Sequence, residues 1–147
     1  MTRRMLIAVD DSRESLGAAR TAARLALDLR ADVRIFVVVE DDAVGEEVER
    51  VAGPDSRERR RQAATNLLEY VRQQVCAEGV PPLQVDVELA VGNPFRQIIG
   101  EARTWRADMI VMAVSDQRGV RSNYVGSVTQ QVIEFANCPV LVVPASS

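Results

Sequence analysis

The sequence predicts an α/β domain built on one open sheet of five parallel strands, ordered 3-2-1-4-5, with helices on both faces. Three observations carry this. Five short apolar runs alternate with amphipathic stretches along the 147 residues, the pattern of strands joined by crossover helices. The first, second and fourth runs are almost continuously apolar, as strands covered on both faces are, whereas the third alternates and belongs at an edge. An edge position excludes the order 2-1-3-4-5, which centres the third strand, and leaves 3-2-1-4-5, with the winding reversing between strands one and four.

The length suits a single domain, residues 1–147, large enough to fold without disulfide or metal staples. Its first strand is MLIAV, Met5–Val9, an apolar run too short for a signal peptide or a membrane span. Helix one follows, with Asp11 and Glu14 at capping-box spacing and Leu16, Ala19, Ala23 and Ala26 along one stripe. Strand two is VRIFVVV, Val33–Val39. The span from about Glu40 to Asp55 is long for a connection and reads as a flap beside the ligand crevice or as a disordered insert. Next comes RERRR, Arg57–Arg61, read as a solvated helix face because the chain is acidic overall and poor in aromatics.

Helix two places Ala64, Leu67, Leu68, Val71 and Val75 at helical spacing and stops near Gly79 and Pro81-Pro82. Strand three, Leu83–Val91, sets Leu83, Val85, Val87, Leu89 and Val91 against Gln84, Asp86 and Glu88. Asn93 then serves as N-cap and Pro94 as first residue of helix three, whose apolar positions are Ile98, Ile99, Ala102 and Trp105. Strand four is Met109–Val114, helix four runs from Ser127 toward Phe135, and strand five is VLVV, Val140–Val143.

Composition excludes several functions. With 47% hydrophobic and 27% charged residues, the chain is that of a soluble globular protein. A net charge of −3 gives no general attraction to nucleic acid or to an anionic membrane, so neither is expected as a partner. The absence of histidine removes His-dependent triads and His-ligated zinc. Cys76 and Cys138 form no C-x-x-C pair, and a reducing cytoplasm is the expected setting.

In sheets of this kind ligands bind beyond the carboxyl ends of the strands, where the winding reverses. Asp10 lies there, and its carboxylate can accept hydrogen bonds from a sugar hydroxyl or an adenine amino group. The pair Asp10-Asp11 reads equally as acids serving the start of helix one, with Asp11 the better cap and Asp10 the better ligand group. Gly126 and Ser127 open helix four, where free amides make an anion site. Ser127 with Gln130 also has capping-box spacing, which explains the serine without a ligand. On the far edge, Val140, Leu141, Val142 and Val143 carry no charge to blunt an exposed strand. Pairing with the same strand of a second copy would cover it; a short strand between Pro139 and Pro144, hidden by a terminal loop, is the alternative.

Together, MLIAVDDS, FVVVED, GNPFRQIIGEARTWRADMIVMA and GSVTQQVIEFANCPVLVV resemble the universal stress protein family, in its order and spacing and over essentially the whole chain. The resemblance implies a Rossmann-like, adenine nucleotide alpha hydrolase-like fold and a homodimer formed through the last strand. It implies a nucleoside facing Asp10, backbone groups of Val38 offered to adenine, and ATP or AMP, with magnesium, as the ligand. The family's phosphate motif, glycine, two residues, glycine, nine residues, then glycine with serine or threonine, falls on Ala113, Asp116 and Gly126-Ser127, followed by Val128. Two of its glycines are replaced. Asp116 sets a carboxylate where polyphosphate would lie, with Arg118 and Arg121 close by in sequence to offset it or to pair with it. The expected function is a non-enzymatic, dimeric stress-response module with weak or absent ATP binding and protein partners not named by the sequence. A switch responsive to ATP or AMP is the alternative. An adenylating or hydrolytic enzyme is disfavoured, because DDSRES replaces a glycine-rich loop and no histidine is present to move a proton.

Overall fold

The computed structural model describes residues 2–40, 55–114 and 126–144. In chain order the elements are β1 (Arg4–Ala8), α1 (Arg13–Leu29), β2 (Asp32–Val39), α2 (Asp55–Ala77), a 3-10 turn (Pro82–Gln84), β3 (Val85–Val91), α3 (Pro94–Trp105), β4 (Met109–Ala113), α4 (Ser127–Phe135) and β5 (Val140–Val143). The five strands form one sheet in the order β3-β2-β1-β4-β5, and every pairing is parallel, as the sequence pattern predicts.

Register sorts the core into two layers. Ile7 lies between Ile35 and Val111, so these residues share one face of the sheet, and the two-residue period turns Leu6, Phe36 and Ile110 to the other. The first face packs on Ala19, Ala22, Ala23 and Ala26 of α1 and on Leu68, Val71 and Val75 of α2. The opposite face packs on Ile98, Ile99 and Ala102 of α3 and Val132 of α4. Leu6, Ile7, Ile35 and Phe36 are essentially inaccessible to solvent, and burying side chains of this size contributes about 1.5–3 kcal/mol each. The alanine stripe lets α1 lie close against the sheet, as its spacing in the sequence implies.

Two local expectations are corrected. Strand three begins at Val85, two residues late, because Pro81 and Pro82 turn the chain into a 3-10 turn that leaves Leu83 fully exposed. The cap of α1 is Ser12, not Asp11: its hydroxyl accepts the Ser15 N–H, and no Asp11–Glu14 capping box forms. Both α1 and α3 end on left-handed arginines, Arg30 at φ 53° and Arg106 at φ 58°, where glycine is the usual residue. Helix α2 carries the RERRR tract, in which Arg59 and Arg61 are exposed and Arg60 donates to the Glu40 carbonyl.

Edge strand β3 is tied to its neighbours by one arginine. Arg34 of β2 donates to both carboxylate oxygens of Asp86 on β3, at 2.9 and 3.0 Å, and to Glu101 of α3 at 2.6 Å. Its guanidinium carbon lies 4.7 Å from the Trp105 ring centroid. The hydrogen bond to Asp86 is the largest cause raising the Arg34 pKa above its ordinary value, partly opposed by burial. Planar, bidentate pairing and stacking of this kind need an arginine in particular.

Candidate functional site

Helices α1, α3 and α4 start at the carboxyl end of the sheet beside the crevice, and each leaves N–H groups in its first turn that need acceptors. At α1 the chain supplies one such acceptor itself, for the Ser15 N–H, and joins it to two bonds in the preceding turn. Ser12 Oγ accepts the Ser15 N–H at 3.1 Å, Asp10 Oδ1 accepts the Ser12 N–H at 2.9 Å, and Ser15 Oγ accepts the Asp10 N–H at 2.8 Å. In α3 the Asn93 side chain accepts the Arg96 N–H at 3.1 Å, with Pro94 at the first helical position, as expected. Helix α4 has no such arrangement. Its N-cap is Gly126, in extended conformation, and among the described residues no side chain bonds to the first-turn amides. Ser127 is already the first helical residue, so the capping box expected between Ser127 and Gln130 does not form; instead the Gln130 N–H reaches the Gly126 carbonyl at 2.9 Å.

Between these helix starts lies a crevice of about 390 Å³, within the range of small-molecule sites. Its apolar wall is Ala8, Phe36, Val38, Ile98 and Met112, and its polar rim includes Asp10, Asp11, Ser12 and Glu40. Of the expected site residues, Asp10, Val38, Ala113, Gly126, Ser127 and Val128 all line it. Asp116, Arg118 and Arg121 lie outside the described residues, as does the span from 41 to 54. Thr129, buried beneath the start of α4, donates to the Ala113 carbonyl at 3.4 Å.

Val38 owes its place to unequal strand lengths. The Gly92 N–H bonds to the Val39 carbonyl, so Val39 faces the β3 side and strand alternation turns the N–H and C=O of Val38 toward β1. But β1 pairs with β2 only as far as Ala8 opposite Phe36, followed by one bond from the Val9 N–H to the Phe36 carbonyl. Beyond that rung, among the described residues, no partner meets the Val38 donor and acceptor. An unpaired donor beside an unpaired acceptor can read the edge of a flat heterocycle.

Among the described residues the crevice is lined by three carboxylates, Asp10, Asp11 and Glu40, and by no arginine. Among these helix starts, that of α4 has no side-chain acceptor among the described residues, and its amides and dipole make it a centre of partial positive potential. No group of three or more potential metal ligands occurs among the described residues. Cys138 lies away from the crevice, and burial, then the Asp108 carboxylate, pushes its thiol above the usual range, which keeps it protonated and a poor nucleophile at neutral pH. Residues that pattern reading did not assign to the crevice include Ser12, Ser15, Phe36, Ile98 and Met112. For the two serines the signal was present, as D-x-S-x-x-S at the end of the first strand.

A five-stranded parallel sheet ordered 3-2-1-4-5, with a crevice where its winding reverses, places the protein in the Rossmann-like α/β class. The chain belongs to the universal stress protein family, whose model matches residues 1–144. It is 32% identical over 142 residues to the universal stress protein MJ0531 of Methanocaldococcus jannaschii, covering 96% of this chain and 81% of that one. Solved structures share the fold at lower identity. The hypothetical protein MJ0577 superposes with a TM-score of 0.80 at 23% identity, covering 100% of this chain and 99% of that one. A universal stress protein in complex with cAMP gives 0.72 at 19% identity, with 98% of each chain covered. One from Archaeoglobus fulgidus in complex with dAMP gives 0.68 at 23% identity, covering 97% of this chain and 98% of that one. Among the described residues no helix is long and apolar enough to cross a membrane.

Proposed function

We propose that the protein is a single-domain, non-enzymatic stress-response module of the cytoplasm that works as a homodimer. Its crevice takes an adenine nucleotide of low charge, AMP in kind, and takes ATP weakly. The observation that carries this is the charge distribution of the crevice, one uncapped helix start facing three carboxylates. A phosphate monoester brings about two negative charges at pH 7, which the α4 amides can hold. Each further phosphate charge at about 4 Å from a carboxylate costs about 1 kcal/mol in water and about 4 kcal/mol near a protein surface. A triphosphate therefore loses about tenfold or more against a monophosphate. Asp116 adds to the same repulsion in this reading. Two of the structural relatives were solved with adenine monophosphates, cAMP and dAMP, which supports a ligand of this class.

The absence of enzymatic activity rests on the groups available. The crevice has no histidine, no cysteine and no metal-binding cluster among its described residues, so proton transfer and nucleophilic attack lack an activated group. The homodimer rests on β5, whose residues Val140, Leu141, Val142 and Val143 are each only partly covered at the open edge of the sheet.

Thermal-shift titration with AMP, ATP and magnesium-ATP tests the ligand. At one hundred times its dissociation constant a ligand stabilises by about 2.7 kcal/mol. AMP raises the midpoint at concentrations about tenfold lower than ATP; an equal or stronger response to ATP refutes the charge argument. Analytical ultracentrifugation tests the assembly. The wild type sediments as a dimer and Val142→Pro, which removes a ladder donor at the edge, as a monomer; a monomeric wild type refutes the dimer.

A further inference from the structure

The turn between β1 and α1 contains a closed cycle of three hydrogen bonds. The Asp10 N–H goes to Ser15 Oγ, the Ser15 N–H to Ser12 Oγ, and the Ser12 N–H back to Asp10 Oδ1, all within 3.1 Å. Each residue donates its amide and accepts on its side chain, so removing one side chain frees one amide and loosens the other two. Only one of the three bonds is needed to cap the helix, namely that of Ser12. The bond from the Asp10 N–H to Ser15 does something else: it fixes the backbone of Asp10 just beyond the strand, and so the base from which the carboxylate, itself held by the Ser12 N–H, projects. Ser15 is 4% exposed and is among the residues lining the crevice, as is Asp10.

The geometry points to Ser15 as a positioning residue that holds the Asp10 carboxylate ready for a hydrogen-bond donor of the ligand. This rests on the nucleotide reading of the crevice and adds to it a residue that acts on the ligand through Asp10. Asp10 Oδ1 is committed to the Ser12 amide, which leaves Oδ2 as the acceptor presented outward. A carboxylate fixed before binding loses little rotamer freedom when the ligand arrives, which is how preorganisation improves affinity. The donor it meets is a ribose hydroxyl or the adenine amino group. In either case a charge-assisted bond results, of the class stronger than a neutral pair.

A double-mutant cycle read by calorimetric titration with AMP tests the assignment. Asp10→Ala weakens AMP binding by about 10–100-fold, as for loss of a hydrogen bond to a charged group. Ser15→Ala, which keeps the carboxylate and its bond from the Ser12 N–H but frees the Asp10 backbone amide, weakens it by about five- to tenfold. In the Asp10→Ala background Ser15→Ala has no further effect on affinity, although it lowers the thermal midpoint in both backgrounds alike. Ser15→Thr keeps the acceptor oxygen and restores affinity. Should Ser15→Ala not fold, Ser15→Cys, whose sulfur is a weaker acceptor, gives the same cycle with a smaller loss. Losses that simply add, or a Ser15→Ala protein with wild-type affinity, overturn the positioning role while leaving the crevice a nucleotide site. A wild type that binds no AMP overturns both at once. Comparison of AMP with its 2′,3′-dideoxy and 6-desamino forms identifies the donor, since only the form lacking it is insensitive to Ser15→Ala.

Discussion

Helices α1 and α4 both begin at the crevice, and they meet the same backbone problem in opposite ways. At α1 the side chains of Asp10, Ser12 and Ser15 absorb the amides of the turn. At α4 Gly126 contributes no side chain, and the amides of the first turn face the crevice without an acceptor from the described residues. The contrast teaches how a small acidic domain sets the polarity of a site without a single basic side chain in its described lining. The closed helix start presents negative charge and the open one presents partial positive charge, so an elongated ligand has one orientation available. In the function proposed above, its anionic end goes to α4 and its donor-bearing end to Asp10.

Closing the open end has the largest expected effect. Gly126→Asp introduces a capping carboxylate at a residue whose φ of −62° any side chain can adopt. The variant loses at least about 100-fold in AMP affinity, because the amides are occupied and the phosphate meets a like charge. Its thermal midpoint stays level or rises, since Asp exceeds Gly as a cap by a few tenths of a kcal/mol. Retained affinity in titration would break the comparison outright. Opening the closed end has a smaller and different effect. Ser12→Ala removes the cap of α1 at a cost of about 0.5–2 kcal/mol, a fall of about 2–4 °C per kcal/mol in a domain of this size. AMP affinity changes less than in Ser15→Ala, because the Asp10–Ser15 bond and the Ser12 amide both remain. An affinity loss in Ser12→Ala equal to that of Ser15→Ala would merge the roles of capping and positioning that the cycle of bonds separates.

Much of the architecture was legible because hydrophobic pattern is redundant. The alternation of Val85 to Glu88 placed β3 at the edge, and the continuous runs of β1, β2 and β4 placed them inside, whatever the error at individual boundaries. Asn93-Pro94 marked the start of α3 to the residue because proline tolerates so few backbone positions. Caps at α1 and α4 were misplaced by one residue, since Asp11 and Ser12 are both good caps, and Gly126 and Ser127 both acceptable ones, when only composition is compared. The crevice was partly legible for the same reason. Asp10, Gly126 and Ser127 follow from strand ends and helix starts, but Phe36, Ile98 and Met112 read as ordinary core residues, which they also are. Ser15 is visible as the last serine of D-x-S-x-x-S, but that spacing alone does not name it as the acceptor for the Asp10 N–H across the turn.

The unmatched backbone of Val38 bears on how such a pocket is lost and regained over generations. Its existence depends on β1 ceasing to pair one rung before β2 does, not on the chemistry of any wall residue. Lengthening β1 by two residues would zip that rung shut and carry Asp10, Asp11 and Ser12 away from the crevice, while leaving the apolar wall of Phe36, Ile98 and Met112 as it was. Descendants of one ancestral domain can therefore lose a ligand through insertions at this turn, and lineages with similar wall residues need not share a ligand.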